Sequence, residues 1–471
     1  MSAVENKAPA NSKLRIAPVG EARGRNGPQA IADTLAPCPN PAEKSESLKG
    51  AYFWLVIFYV VYCARPEDWI PGLHAVPLAK ISGVFAIIGL LLSVGRSKRN
   101  LRDLPREALY LLLLIGLLFV SAAFSPVWKG GALIRTFDFA KVFVAWVLTF
   151  VAVTSFARLR RVLFIQTASV AVISIISMAK GASHPRLDGV LGGIYSNPND
   201  LAFAIVLSLP FCLAFLLRTG NLLRKMAWTV SLLLMIGALF LTASRGGFIT
   251  FLVAGVVCLW HFGVKGRRSY LIAAAAVIAT VAGLAAGGQL KDRMLAVSGE
   301  GFDENSQSAY GSFEQRRILI SRSFDGIQHY PLLGVGLHNF STYSGVWRDV
   351  HVTYLQIAVE GGIPVLILYL MFFGSGFSNL RRLRRLGNLD PEVKLFAGAL
   401  HSSLIGFLVG ALFAPEAYQY FPYFAVAYTA VLLKIEQERG IGGVRLGGLN
   451  RPQLRTETAG RDGRPTFTYA W

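Results

Sequence analysis

The sequence predicts an all-α polytopic membrane protein of about twelve transmembrane helices. Hydrophobic residues fill 53% of the 471 positions and charged residues only 16%, with a mean hydropathy of +0.48. A soluble domain is about a quarter charged. Apolar runs long enough to cross about 30 Å of hydrocarbon recur along the chain. These runs are continuous and do not alternate with polar residues, which excludes a closed β-barrel and leaves helices as the spanning element. Basic residues gather in every second connection between the runs, as they do when a chain passes repeatedly through a membrane.

In chain order, residues 1–50 are rich in Ala, Pro, Asn and charge and lack an apolar core. They read as a disordered cytoplasmic tail and not as a cleavable signal peptide. Spans are expected at 51–64, 80–96, 108–124, 138–155, 161–179, 200–217, 225–243, 246–263, 270–287, 352–376, 395–413 and 418–434. The first is short and acts as a signal anchor. Residues 51–434 thus form one transmembrane domain, and 435–471 a basic cytoplasmic tail. The four cysteines are scattered with no CxxC or His/Cys cluster, so neither a disulfide framework nor a zinc site is indicated.

With the N-terminus cytoplasmic, 33 of the 47 Lys and Arg residues fall on the cytoplasmic side. The formal net charge of +20 then reflects orientation and not a nucleic-acid surface. Both termini are cytoplasmic. The long segment 288–351, between spans nine and ten, faces the other side together with Arg65, the loop 180–199 and Arg245. A loop of that length in a compact membrane protein points to function.

The external face collects the chemistry-bearing residues. Arg245 stands in "LTASRGGF", in a tight turn between two spans. It is either an interfacial anchor or an anion ligand with a fixed fork of donors. Lys291, Arg293, Arg316, Arg317, Arg322 and Arg348 lie in the long segment, where a helix is expected from Phe313 to about His329, ended by Pro331. Neighbouring residues on a helix diverge by about 100°, so one of Arg316 and Arg317 faces inward and the other outward. Arg65, in "YCARPEDWIP", pairs with Glu67 and Asp68 or touches a ligand. Ser196 and Asn199 in "YSNPNDLA" are candidate N-caps; alternatively the free N–H groups of that helix start face an anion. His351 sits at the mouth of span ten with Tyr354 on its side, whereas Glu360 lies half a turn of rotation away, at a break with Gly361, Gly362 and Pro364. An imidazole that accepts a proton beside guanidinium groups that hold phosphate suits transfer chemistry on a phosphorylated lipid.

"LTASRGGF", "RRILISRSFDGIQHYPLLGVGLHNF" and "HVTYLQIAVEGGIPVLILYL", with "YSNPNDLA", resemble the bacterial O-antigen ligase and O-antigen polymerase superfamily over roughly residues 190–376. The resemblance implies a GT-C-like, multi-pass inner-membrane glycosyltransferase. Such enzymes take a glycan from undecaprenyl diphosphate at the periplasmic face and deliver it to a lipid A-core sugar or to another lipid-linked glycan. It carries Arg245, Arg316 and His351 into the catalytic set, with Arg65, Asn199, Arg317, Arg322 and Tyr354 as substrate-binding candidates. Where the family commonly has Asn or Ser after the histidine, this chain has Val352. No nucleotide sugar, cofactor or metal is implied. Within the same chemistry stand a polymerase and a ligase acting on protein hydroxyls. A twelve-span transporter of lipid-linked glycan is the rival from another class; it would show internal repeats and midplane charges, and neither is evident in the sequence.

Overall fold

The computed structural model describes residues 48–73, 75–94, 104–181, 187, 195, 197–277, 280, 304–346, 348–387 and 389–449. The expectations for residues 1–47 and 450–471, for Ser196 and for most of 278–303 lie outside these residues, whereas 435–449, expected as tail, continue the last helix. The elements are helices: α1 (Lys49–Ala64), α2 (Pro66–Trp69), α3 (Leu78–Val94), α4 (Arg106–Ala123), α5 (Lys129–Ala152), α6 (Phe156–Lys180), α7 (Pro198–Leu217) and α8 (Leu222–Leu241). They continue with α9 (Arg245–Cys258) and its π-helical extension Leu259–Val264, α10 (Glu304–His329), α11 (Phe340–Ser344), α12 (Thr353–Gly361), α13 (Ile363–Arg385), α14 (Pro391–Gly410) and α15 (Tyr420–Leu449). Among the described residues seven are long and apolar enough to cross a membrane: α4, α6, α7, α8, extended α9, α13 and α14. The chain is a multi-pass membrane protein. The first two expected spans form apolar helices, α1 and α3, that are shorter.

Helix starts follow local chemistry. The Ser155 side chain caps α6, and Asp390 caps α14 with Pro391 at its first position. At α7 the cap is Asn197, not Ser196 or Asn199: its side chain accepts from the Asn199 amide at 2.9 Å. The reason is Pro198, whose fixed φ and missing N–H suit the first helical position and assign the cap to the residue before it. Asn199 is thereby left to bond elsewhere.

Helix α7 lies against α6, α8, α9 and α14, and α15 against α5, α13 and α14. Small residues permit the close approaches. A Cβ at Gly410 would meet the Phe203 ring at 2.1 Å, and one at Gly406 the Ala254 side chain at 3.2 Å. Trp146, Tyr369, Phe373, Phe407 and Tyr423 fill the interior with almost no exposed surface.

The run expected to be span ten, 352–376, is two helices. α12 ends at Gly361 and α13 begins at Ile363; Gly362 between them has φ +85°. A Cβ at Gly362 would sit 2.2 Å from the Leu332 carbonyl oxygen, so glycine is required both by conformation and by space. The Ile363 amide donates to the Pro331 carbonyl at 2.8 Å, tying the 331–336 turn to this joint.

Candidate functional site

The turn after α10 is held as a short strap along the end of α12. The Val335 amide donates to the Val359 carbonyl at 2.8 Å and the Gly336 amide to the Glu360 carbonyl at 2.9 Å. Gly334, at φ +65°, brings its backbone so near that a Cβ would lie 2.5 Å from the Glu360 carbonyl carbon. From the other side Ser125 donates to the Val335 carbonyl at 2.6 Å, and the Asn339 side-chain amide donates to Ser125 Oγ at 2.8 Å and to the Trp128 carbonyl at 3.1 Å. These bonds fix His338 in a left-handed conformation, φ 57°, with its ring 5.5 Å from that of Tyr418.

Beside the strap is a cavity of about 790 Å³ whose lining includes Trp128, Arg135, Asp200, His338, Arg348, Asp349, His351, Gln356 and Tyr418. Helix α10 turns one face inward, although neither its residues nor Arg245 line this cavity. Arg316 is half-buried with Nε lacking a hydrogen-bond partner, and Leu319 and Ser323, three and seven residues on, are fully buried, as helical periodicity requires. Arg317 points out, exposed and 3.7 Å from Glu314. Burial and then the Arg245 charge lower the Arg316 guanidinium. Arg316 and Arg245 therefore share one electrostatic neighbourhood, and so do Arg316 and His351. Burial comes first in holding the His351 imidazole below its ordinary range, followed by the charge of Arg316, with Arg348 adding to it and Asp349 opposing. His351 Nδ1 is buried without a hydrogen-bond partner.

Arg245 is placed by its own turn. Ser244 caps α9 by accepting from the Gly247 amide at 3.1 Å, and its hydroxyl donates to Asn199 Oδ1 at 2.8 Å. Asn199, a sequence candidate for ligand contact, here fixes the arginine-bearing turn. His351 precedes α12, whose N-cap is Val352 with no side-chain cap. The Thr353 amide is satisfied instead by the Ala411 carbonyl at 2.8 Å. The Thr353 hydroxyl donates to the Ala414 carbonyl at 2.7 Å and accepts from the Glu416 amide at 3.0 Å, so the 411–416 turn takes over what a polar residue at 352 would do.

The remaining sequence candidates lie differently. Arg65 is engaged by both oxygens of Asp68, with Glu67 at 3.9 Å, and does not line the cavity. Tyr354 spends its hydroxyl on the Leu408 carbonyl at 2.7 Å. Arg322 is exposed on α10. The structure adds His338, Arg135, Asp200, Asp349, Glu416 and Tyr418. His338 and Asp200 stand inside stretches that the sequence singles out, and Arg135, like Arg245, is an arginine close to an apolar run. Burial holds the His338 imidazole low, with Arg135 acting the same way and Asp349 opposing. Asp349 therefore acts on both cavity histidines.

Glu360 is fully buried and neither carboxyl oxygen completes a hydrogen bond.

Residues 230–370 match the family model described as O-antigen ligase. The match supports a relationship with the O-antigen ligase superfamily over that segment. No curated protein matches the chain. The matched segment holds Arg245, Arg316, His338, Asp349, His351 and Glu360, whereas Asn199, Asp200, Arg135 and Glu416 come from outside it. Of these, His338, Asp349 and His351 from the matched segment and Arg135 and Asp200 from outside it line the cavity.

Proposed function

We propose that the protein is a glycosyltransferase that moves an O-antigen-type glycan from undecaprenyl diphosphate to an acceptor hydroxyl, with a lipid A-core sugar as that acceptor. The observation that carries the reading is Arg316, half-buried within electrostatic reach of Arg245 and of His351, the last of which lines a polar cavity. Arg245 and Arg316 hold the diphosphate. The acceptor oxygen attacks the anomeric carbon as His351 takes its proton, and the carbon–oxygen bond to phosphate breaks with its electron pair leaving on the diphosphate. Developing negative charge is met by guanidinium groups aimed at it in a partly dehydrated site. Direct displacement inverts the anomeric configuration, and in this scheme no metal is needed. The depressed His351 imidazole suits it to accept a proton at neutral pH.

In the membrane we place twelve spans in a GT-C-like arrangement, both termini in the cytoplasm, and segment 288–351 on the periplasmic face of the inner membrane. The positive-inside bias supports that orientation. Reconstitution of the purified protein with lipid-linked glycan and lipid A-core tests the reading. A new glycosidic bond to the core is expected from the native protein and not from His351→Ala. Extension of the lipid-linked glycan makes the protein a polymerase; glycan on protein hydroxyls makes it a protein ligase. Movement of lipid-linked glycan without bond formation overturns the enzymatic reading.

A further inference from the structure

Two carboxyl groups outside the proposed transfer chemistry meet at the edge of the cavity. Asp200 lies in the first turn of α7 and Glu416 in the turn between α14 and α15. Their side chains are within hydrogen-bonding reach of one another. Both line a crevice walled by Tyr195, Phe203 and Phe421, while Asp200 also faces the cavity. Glu416 is buried and its Oε1 has no other partner. Two carboxylates cannot donate to each other, so contact at this burial requires one proton between them. Tyr195 shares the crevice, Asp349 acts on Asp200, and the Tyr369 hydroxyl of α13 senses Glu416. Arg135, Arg348, His338 and His351 line the cavity that Asp200 also faces, but none of them is among the groups acting on either carboxyl.

The position of the pair gives it a task. Asn199, beside Asp200, accepts from Ser244 and so holds the turn that carries Arg245. The Glu416 amide donates to the hydroxyl of Thr353, two residues beyond His351. The carboxyl contact closes a continuous path from the arginine-bearing turn to the histidine-bearing helix. We propose that Asp200 and Glu416 share a single proton and act as positioning residues that fix Arg245 relative to His351. The direction of the Glu416 carboxyl agrees: burial, then the Asp200 charge, pushes it well above the ordinary carboxylate range. The positional role rests on the transfer reading; the shared proton does not.

Two measurements on the detergent-solubilised full chain separate these parts. A carboxyl raised in the folded state stabilises while protonated, so its contribution is complete below the unfolded glutamate value of about 4.3 and is lost as pH rises through the folded value. The native melting temperature therefore carries a falling component with rising pH. Glu416→Gln removes that component, because the amide N–H donates to Asp200 at every pH, while Glu416→Ala melts lower throughout. Titrating groups other than Glu416 are common to all three proteins and cancel in the comparison. In the transfer assay Glu416→Ala loses about tenfold or more. Glu416→Gln stays within about threefold at neutral pH and holds its rate further into the alkaline range than the native chain. A Gln variant that melts with the native pH dependence overturns the shared proton. An Ala variant with native transfer overturns the positional role. If even the native chain transfers nothing, the reading of function fails, and the melting curves still decide the proton.

Discussion

The Ser244 hydroxyl donates to the Asn199 side-chain oxygen at 2.8 Å while Ser244 Oγ itself accepts from the Gly247 amide at 3.1 Å. One serine thus caps α9 and bolts its arginine-bearing turn to α7. Ser244→Ala removes both bonds and Asn199→Ala only the one between helices. The serine variant should lose about 1–2 kcal/mol and the asparagine variant about half of that, read from thermal or denaturant unfolding in detergent.

Arg316 and Arg317 are sequence neighbours with opposite surroundings, one half-buried near Arg245 and His351, the other exposed beside Glu314. Arg316→Lys keeps a charge but not the planar fork, and should cost at least about tenfold in transfer, near 1.4 kcal/mol. Arg317→Lys should leave transfer unchanged. Equal effects at the two positions would mean that the inward face of α10 has been misassigned.

The electrostatics of His351 predict the acid limb of activity. Its imidazole is held below the ordinary value of about 6.5, so the proton-accepting neutral form persists to lower pH. Arg348→Gln removes a positive charge and should move the limb of kcat/KM upward; Asp349→Asn removes a negative one and should move it downward. In stability terms a depressed imidazole contributes above about 6.5 and loses that contribution as pH falls through the folded value.

Gly362→Ala tests the joint between α12 and α13. The positive φ and the 2.2 Å approach to the Leu332 carbonyl leave a methyl group no place. Loss of about 3 kcal/mol or more is expected, visible as reduced yield of folded protein and early thermal unfolding. Gly374→Ala, with open space around its Cβ, is the matched control.

Helical class, most span positions and the end of α10 at His329 were legible because apolar runs and a proline stop are local signals. So was the break beside Glu360, announced by Gly361, Gly362 and Pro364. The α7 cap was misread by one or two positions because proline assigns the cap to its predecessor, and two flanking candidates obscured that. Of the proposed catalytic set, His351 lines the cavity, and all three of Arg245, Arg316 and His351 could be singled out in the sequence because each is a charged or titratable group at an apolar boundary. The Asp200–Glu416 contact could not: it joins opposite sides of the helical core, and only packing brings them together. His338 was hidden differently, since its role depends on a left-handed backbone set by bonds from Ser125, Asn339 and α12.

The Gly362 joint bears on how the protein meets lipids of different length. A span responds to a thicker or thinner bilayer by tilting. Here Pro331, Val335 and Gly336 are bonded across the joint to Ile363, Val359 and Glu360, so the strap with His338 and the helix following His351 must swing together with α13. Mismatch between protein and bilayer would then reorient the two imidazoles as one body and leave the spacing between them intact.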